Sequence, residues 1–317
     1  MLLVDNVLVF FLTLVFLLGT LDTTSTVTYA DYMKRYHAKL LNALYLGESL
    51  TSLVPSILAS IQGVGGEAIC RANSTYPEYS SPRFSVQVYF WTFVAIILLS
   101  LIAFLFLEFS SVTKLQRRSN TTEFSEQTEF TSDTGTTTIN HMSKKHYYIL
   151  LLFGFLSSII IYGILPSIGT YAVLPYSQRA YYISSLILPI SNPLSVLIGI
   201  FLRSILNILT LTILFLFATF ASIYVIIVAA LSPCPPLHDS TGGAILVIGC
   251  YFLSYLLFYY IRLVLGNRIR QEYPYESGLF WFGASSQFGS LIGAIPMYLL
   301  INVYNLFQSR NVCQTYC

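Results

Sequence analysis

Residues 147–178, from Tyr147 to Gln178, read YYILLLFGFLSSIIIYGILPSIGTYAVLPYSQ, and none of these 32 positions is Asp, Glu, Lys or Arg. A helix crosses the hydrocarbon core of a bilayer with about 20 apolar residues, so this stretch marks a span with length to spare. The same test applied outward finds seven more charge-free stretches, at 6–21, 49–66, 84–107, 180–202, 204–238, 240–261 and 277–309. Eight spanning helices are expected. The first two stretches are short, and they reach span length only as helices of about 3–30 and 38–63 that take in Asp22 and Glu48.

The whole chain has the same character. Its 317 residues are 55% hydrophobic and 9% charged, with a mean hydropathy of +0.69, whereas about 25% of a soluble domain is charged. An ordinary soluble enzyme is excluded. The net charge of +2, with no run of five or six like charges, argues against a nucleic-acid partner. Met1 to Leu18 carries Asp5 where a secretory leader would carry positive charge, so this segment is expected to be a span. Between Phe109 and Tyr147 the composition turns to Ser and Thr with Lys114, Arg117, Arg118, Lys144 and Lys145, and there is too little apolar surface to fold alone. The expected fold class is an all-α polytopic membrane protein. Three helices lie in a partial bundle over 1–109, a disordered cytoplasmic linker covers 110–146, and a five-helix bundle covers 147–317.

Basic residues set the orientation. With the loop carrying Lys34, Arg35 and Lys39 inside, twelve basic residues fall inside: those three, the five of the linker, Arg203, Arg262, Arg268 and Arg270. Only Arg71, Arg83, Arg179 and Arg310 fall outside, and this excess predicts that both termini are extracellular. The sequon at Asn73 then lies outside as a candidate glycosylation site, and Asn120 lies inside. Cys234, Cys313 and Cys317 also fall outside, where an oxidising compartment could link them.

Catalytic chemistry has little to work with. His37, His141, His146 and His238 all lie in loops, and the chain has no metal-ligand spacing and no nucleotide-binding fingerprint. No enzyme activity, metal site or cofactor is expected. What remains is a set of helix interruptions, at Pro55, Pro166, Pro189, Pro193 and Pro296, together with Thr28, Glu48, Gln62, Thr170, Asn192 and Gln287 deep in spans. Broken helices and buried amides line solute paths, but they also serve as kinks and interhelical hydrogen bonds worth about 1 kcal/mol. Glu48 is either functional or paired with Lys39 near the inner interface. Small residues from Gly283 to Gly293 allow close helix approach.

Five segments carry a resemblance: Gly163-Ile-Leu-Pro-Ser-Ile-Gly-Thr170-Tyr171-Ala-Val-Leu-Pro175-Tyr176, Ser191-Asn192-Pro193-Leu194, Leu231-Ser-Pro-Cys234-Pro-Pro-Leu, Gln287-Phe-Gly-Ser-Leu-Ile-Gly-Ala and the ending Cys313-Gln-Thr-Tyr-Cys317. In order and spacing they resemble the eukaryotic riboflavin transporter family of solute carriers, strongly over 147–317 and moderately over about 20–109. Thr26, Asp31 and Glu48 stand where that family usually has Asn, usually has Pro and often has Gln. The resemblance implies an arrangement similar to major-facilitator transporters, with six helices before the central loop and five after it. With three before the loop, this chain is expected to lack the family's first three helices, as a fragment, a mis-started gene model or a shortened paralogue. It further implies a multi-pass protein of the plasma membrane that carries riboflavin by alternating access, and a Cys234–Cys313 disulfide that leaves Cys317 free. The substrate site is expected at Thr28, Glu48, Thr170, Tyr171, Asn192 and Gln287. In that site Tyr171 stacks on the flat ring, Asn192 or Gln287 pairs with the imide edge, and Thr28 and Thr170 meet ribityl hydroxyls. Two alternatives are weighed beside this: a truncated pseudo-transporter that does not transport, and a carrier for another neutral flat heterocycle such as a purine base.

Overall fold

The computed structural model describes residues 2–32, 38–63, 81–109, 143–202, 207–238, 240–272 and 278–309. Among the described residues there are eight helices long and apolar enough to cross a membrane, and no strand. They are α1 (Leu2–Tyr32), α2 (Ala38–Gln62), α3 (Val86–Phe109), α4 (Lys144–Val173), α5 (Gln178–Phe201), α6 (Ile208–Ala230), α7 (Thr241–Glu272) and α8 (Gly278–Val303). The protein is an all-α polytopic membrane protein.

Two boundaries differ from expectation. Helix α4 begins at Lys144, so the last three residues of the expected linker form its first turn; residues 110–142 lie outside the described residues. Helix α7 runs on to Glu272, so Arg262, Arg268 and Arg270 are helical and not part of a loop. Tyr259 to Leu265 continues the apolar run on both sides of Arg262 with no proline to stop it. Taking Arg262 out of the charge count leaves eleven against four, so the excess keeps its sign.

Of the five expected interruptions, Pro166 and Pro189 stand at breaks and Pro296 precedes a π-turn over Leu299–Val303, whereas Pro55 and Pro193 lie within continuous helix. Helix α4 is α-helical over Lys144–Ser158, widens to a π-turn over Ile159–Ile164 and resumes over Leu165–Val173. Pro166 cannot donate to the preceding turn, while Ser157 and Ser158 donate back to the Phe153 and Gly154 carbonyls, a bond that bends helices. Helix α5 opens on Ser177, whose hydroxyl accepts from Ala180 N at 2.9 Å. It tightens to a 3₁₀ turn over Leu188–Ile190 around Pro189 and resumes at Ser191. Helix α2 ends at Gly63, whose φ of +79° favours glycine. Gln62, expected deep in a span, lies at that end and donates to the Phe84 carbonyl at 3.0 Å. It ties the α2 terminus to the approach to α3.

The core belongs to α4–α8. One half of it is built around Phe258, Ile261, Leu265 and Phe282, the other around Leu165, Ile168, Val225 and Tyr251. Helix α7 packs along α5 and α6, and α8 packs along α4. The first three helices enclose no comparable core of their own. No described residue of α3 is buried, α1 lies along α8, and α2 lies across α5 and α7. Phe10, Phe106 and Phe220 are 69%, 76% and 73% exposed, the apolar rim that a bilayer covers.

Helices α4 and α8 meet backbone to backbone at Gly163 and Gly293. A Cβ added at Gly293 would lie 2.5 Å from the Ile159 carbonyl oxygen and 3.0 Å from Gly163 Cα, with no flexible side chain to give way. Gly293→Ala should therefore cost about 1–3 kcal/mol of stability, as overpacking of a close seam does. Thermal unfolding in detergent checks this, and an unchanged midpoint would mean that the seam is slack.

Candidate functional site

A pocket lies where α2, α5 and α7 meet, lined by Tyr45, Glu48, Asn192, Val196, Tyr259, Arg262 and Leu263. Its volume is about 10 Å³, room for one water molecule. Arg262 stands nine residues from the end of the span Thr241–Gln271, about 14 Å along the helix axis.

An ion pair dominates the pocket. Arg262 Nη1 donates to Glu48 Oε1 at 3.1 Å and also to the Tyr162 hydroxyl, and the guanidinium carbon sits 5.1 Å from the Tyr162 ring centroid. The Arg262 side chain is 8% exposed and that of Glu48 is 34% exposed. A charge as buried as that of Arg262 persists only when paired and hydrogen-bonded. Glu48 thus pairs across two helices with Arg262, while the side chain of Lys39 lies outside the described residues. Tyr45 reaches this position because Gly266 has no side chain: a Cβ there would overlap its hydroxyl. One polar group of Arg262 is left over, since its Nε–H is buried without an acceptor among the described residues.

Asn192 enters the same pocket because the 3₁₀ turn at Pro189 starts the second half of α5 one residue before it. Its backbone carbonyl accepts from Ser195 Oγ at 2.6 Å, and its side-chain amide has no hydrogen-bond partner among the described residues. The interhelical tie weighed for Asn192 is therefore not made here.

A column of aromatic rings leads away from the pocket along α7. Tyr259 stacks on Tyr255 with centroids 5.7 Å apart, and Tyr255 stacks on Tyr251 at 5.3 Å. The four-residue spacing puts all three on one face over about 12 Å. At the far end the Tyr251 hydroxyl donates to the Leu165 carbonyl, which places the column beside the resumed part of α4.

The six expected site residues divide. Glu48 and Asn192 share the pocket. Thr170 and Tyr171 lie at the far end of the column on α4, where Thr170 Oγ1 donates to the Tyr181 hydroxyl at 3.5 Å and Tyr171 packs at 5.6 Å against Phe307. Thr28 is exposed on α1, its hydroxyl turned back to the Thr24 carbonyl at 2.8 Å. Gln287 is half-buried on α8 and does not line the pocket. Asn73 and Cys313 lie outside the described residues. Cys234, in the turn after α6, is disulfide-bonded with its partner outside the described residues, and Cys250 is free. That turn is also held by Tyr176, whose hydroxyl donates to the Pro236 carbonyl at 3.0 Å and whose pKa burial pushes up to about 12, so it stays a donor at neutral pH.

Arg262, Tyr45 and Tyr259 are absent from the expected set. The available signal was the unbroken apolar run around Arg262 and the four-residue repeat Tyr251, Tyr255, Tyr259, both of which place the arginine inside a helix.

Comparison with known proteins follows the same lines. The family model described as solute carrier family 52, riboflavin transporter, matches residues 4–309. The chain is similar to solute carrier family 52, riboflavin transporter, member 3-A of Danio rerio, at 31% identity over 97% of this chain and 76% of the relative. It is 30% identical to riboflavin transporter rft-1 of Caenorhabditis elegans, over 95% of this chain and 74% of the relative. It is 29% identical to member 1 of the family in Homo sapiens, over 97% and 74%. No solved structure matches.

Proposed function

Since the chain belongs to the solute carrier family 52 of riboflavin transporters, we propose that it carries riboflavin across the plasma membrane by alternating access, with the pocket between α2, α5 and α7 on its path. It is a solute carrier, not an enzyme. One observation carries this reading: Glu48, from the helices before the linker, meets Asn192 and Arg262, from the helices after it, around one polar pocket. A carrier needs its site between parts that can move apart.

The chemistry suits the solute. Riboflavin is neutral near pH 7, with a flat three-ring system, an imide edge and a hydroxylated chain. In this reading Asn192 pairs with the imide edge because an amide both donates and accepts. Tyr259, which lines the pocket, offers an aromatic ring on the path. Thr170 and Tyr171 serve the far end of the tyrosine column, while Thr28 and Gln287 serve the α1–α8 side. The relatives are named for riboflavin, which favours a flavin over a purine base and transport over an inert remnant. Pairing of Cys234 with Cys313 is supported by Ser232 Oγ, which donates to the Gln308 carbonyl at 2.6 Å and so draws the two segments together. Glycosylation at Asn73 and extracellular termini complete the reading.

Cells expressing the chain with a tag after Cys317 test it in one experiment. Saturable uptake of labelled riboflavin, with the tag stained on intact cells, is the expected result. Surface-stained cells without uptake above background would overturn the transport reading, and staining only after permeabilisation would reverse the orientation.

A further inference from the structure

We infer that Arg262 is the specificity-determining residue of this pocket: its Nε–H donates to a carbonyl oxygen on the imide edge of the solute, beside Asn192. The inference rests on the reading of the protein as a riboflavin carrier. It starts from a mismatch in the pocket. Arg262 is 7% exposed, and Nη1 is engaged twice, by the Glu48 carboxylate and the Tyr162 hydroxyl. Nε carries a hydrogen that finds no acceptor among the described residues. A guanidinium cannot shed that proton, and buried donors are almost always satisfied in native proteins. An unsatisfied donor in the wall of a carrier's pocket is a donor held for something that arrives.

The neighbouring group narrows what arrives. Asn192 lines the same pocket with an amide that has no partner among the described residues. Together the two residues present one fixed N–H from the arginine and an adjacent acceptor and donor from the amide. A carbonyl, an N–H and a second carbonyl in a row complement that set, and this row is the imide edge of an isoalloxazine. A hydroxyl or an isolated carbonyl would satisfy only one of the two residues.

The geometry also suits a moving protein. About 10 Å³ does not admit a ring, so α2 must draw away from α5 and α7 before the edge can enter. Asn192 and Arg262 stand on α5 and α7, which pack along each other, so the reading pair survives that movement. Glu48 stands on the helix that moves. As it recedes, the pocket opens, and a carbonyl from the solute supplies the acceptor that the Nε–H lacks.

Lysine keeps the charge and the pairing with Glu48 but has no Nε–H held at this position. The test measures competition against labelled riboflavin by two analogues, each with one imide carbonyl oxygen replaced by sulfur, a weaker acceptor. The native protein should disfavour at least one of them by about tenfold. Arg262→Lys should bind riboflavin about tenfold more weakly and lose that preference, at equal surface abundance. If Arg262→Lys fails to reach the surface, the double variant Glu48→Leu with Arg262→Met, which leaves no unpaired charge, takes its place and should likewise lose the preference. Equal competition by riboflavin and both analogues on the native protein overturns the inference and leaves the transport reading standing, as does a preference that survives in the variants. No saturable uptake by the native protein overturns the transport reading first.

Discussion

Glu48→Leu by itself should strip the membrane of most folded protein, whereas Glu48→Leu combined with Arg262→Met should restore it. The single change leaves Arg262, a residue 7% exposed in the native protein, with the Tyr162 hydroxyl as its one hydrogen-bond acceptor among the described residues. Breaking one side of a buried pair costs about 3–5 kcal/mol, a large part of the 5–15 kcal/mol that holds a typical domain together. Arg262→Met alone should cost less, because the Glu48 side chain it strands is 34% exposed and retains water. Replacing both leaves neither a charge nor a large void, and such exchanges are often neutral. Surface abundance and thermal unfolding in detergent measure all three. A Glu48→Leu protein as stable as the native one, or a double variant worse than the sum of its parts, would refute the account of this pair.

The second large effect concerns affinity. Asn192→Leu keeps approximate volume and removes the pairing group for the imide edge, so riboflavin should bind tenfold to a hundredfold more weakly, from about 1–3 kcal/mol for an unpaired polar group. Folded protein should be unaffected, since the Asn192 amide has no partner among the described residues to lose. Apparent affinity and surface abundance read on the same cells separate the two roles. A fall in abundance with affinity intact would make Asn192 a packing residue.

Much of the molecule was legible from composition and spacing. The charge-free stretches predict each of the eight helices, and Pro166 and Pro189 predict the interruptions in α4 and α5. Glu48 and Asn192 were legible as candidates because each puts a polar group into an apolar run. The rest was not. Arg262 reads as a loop charge because it ends a charge-free stretch, although the apolar run from Tyr259 to Leu265 on both sides of it carries the helix onward. Tyr45 and Tyr259 read as two among 24 tyrosines.

Element type and membrane residence follow from one-dimensional patterns, because a bilayer satisfies no backbone group and leaves an apolar run only the helix. The amino-acid sequence therefore determined by itself the class, the number of spans and their breaks. Which polar groups meet depends on helix rotation and crossing, which are set by close packing. The contact of Gly163 with Gly293 and the seat of Tyr45 over Gly266 are examples. Only the tertiary structure decided that Glu48 pairs with Arg262, 214 residues away along the chain. It also decided that Asn192 joins them while Thr28, Thr170, Tyr171 and Gln287 do not. An ion pair between distant helices leaves no periodic trace in sequence, since it is selected by the cost of an unpaired charge in the folded interior and not by any local preference.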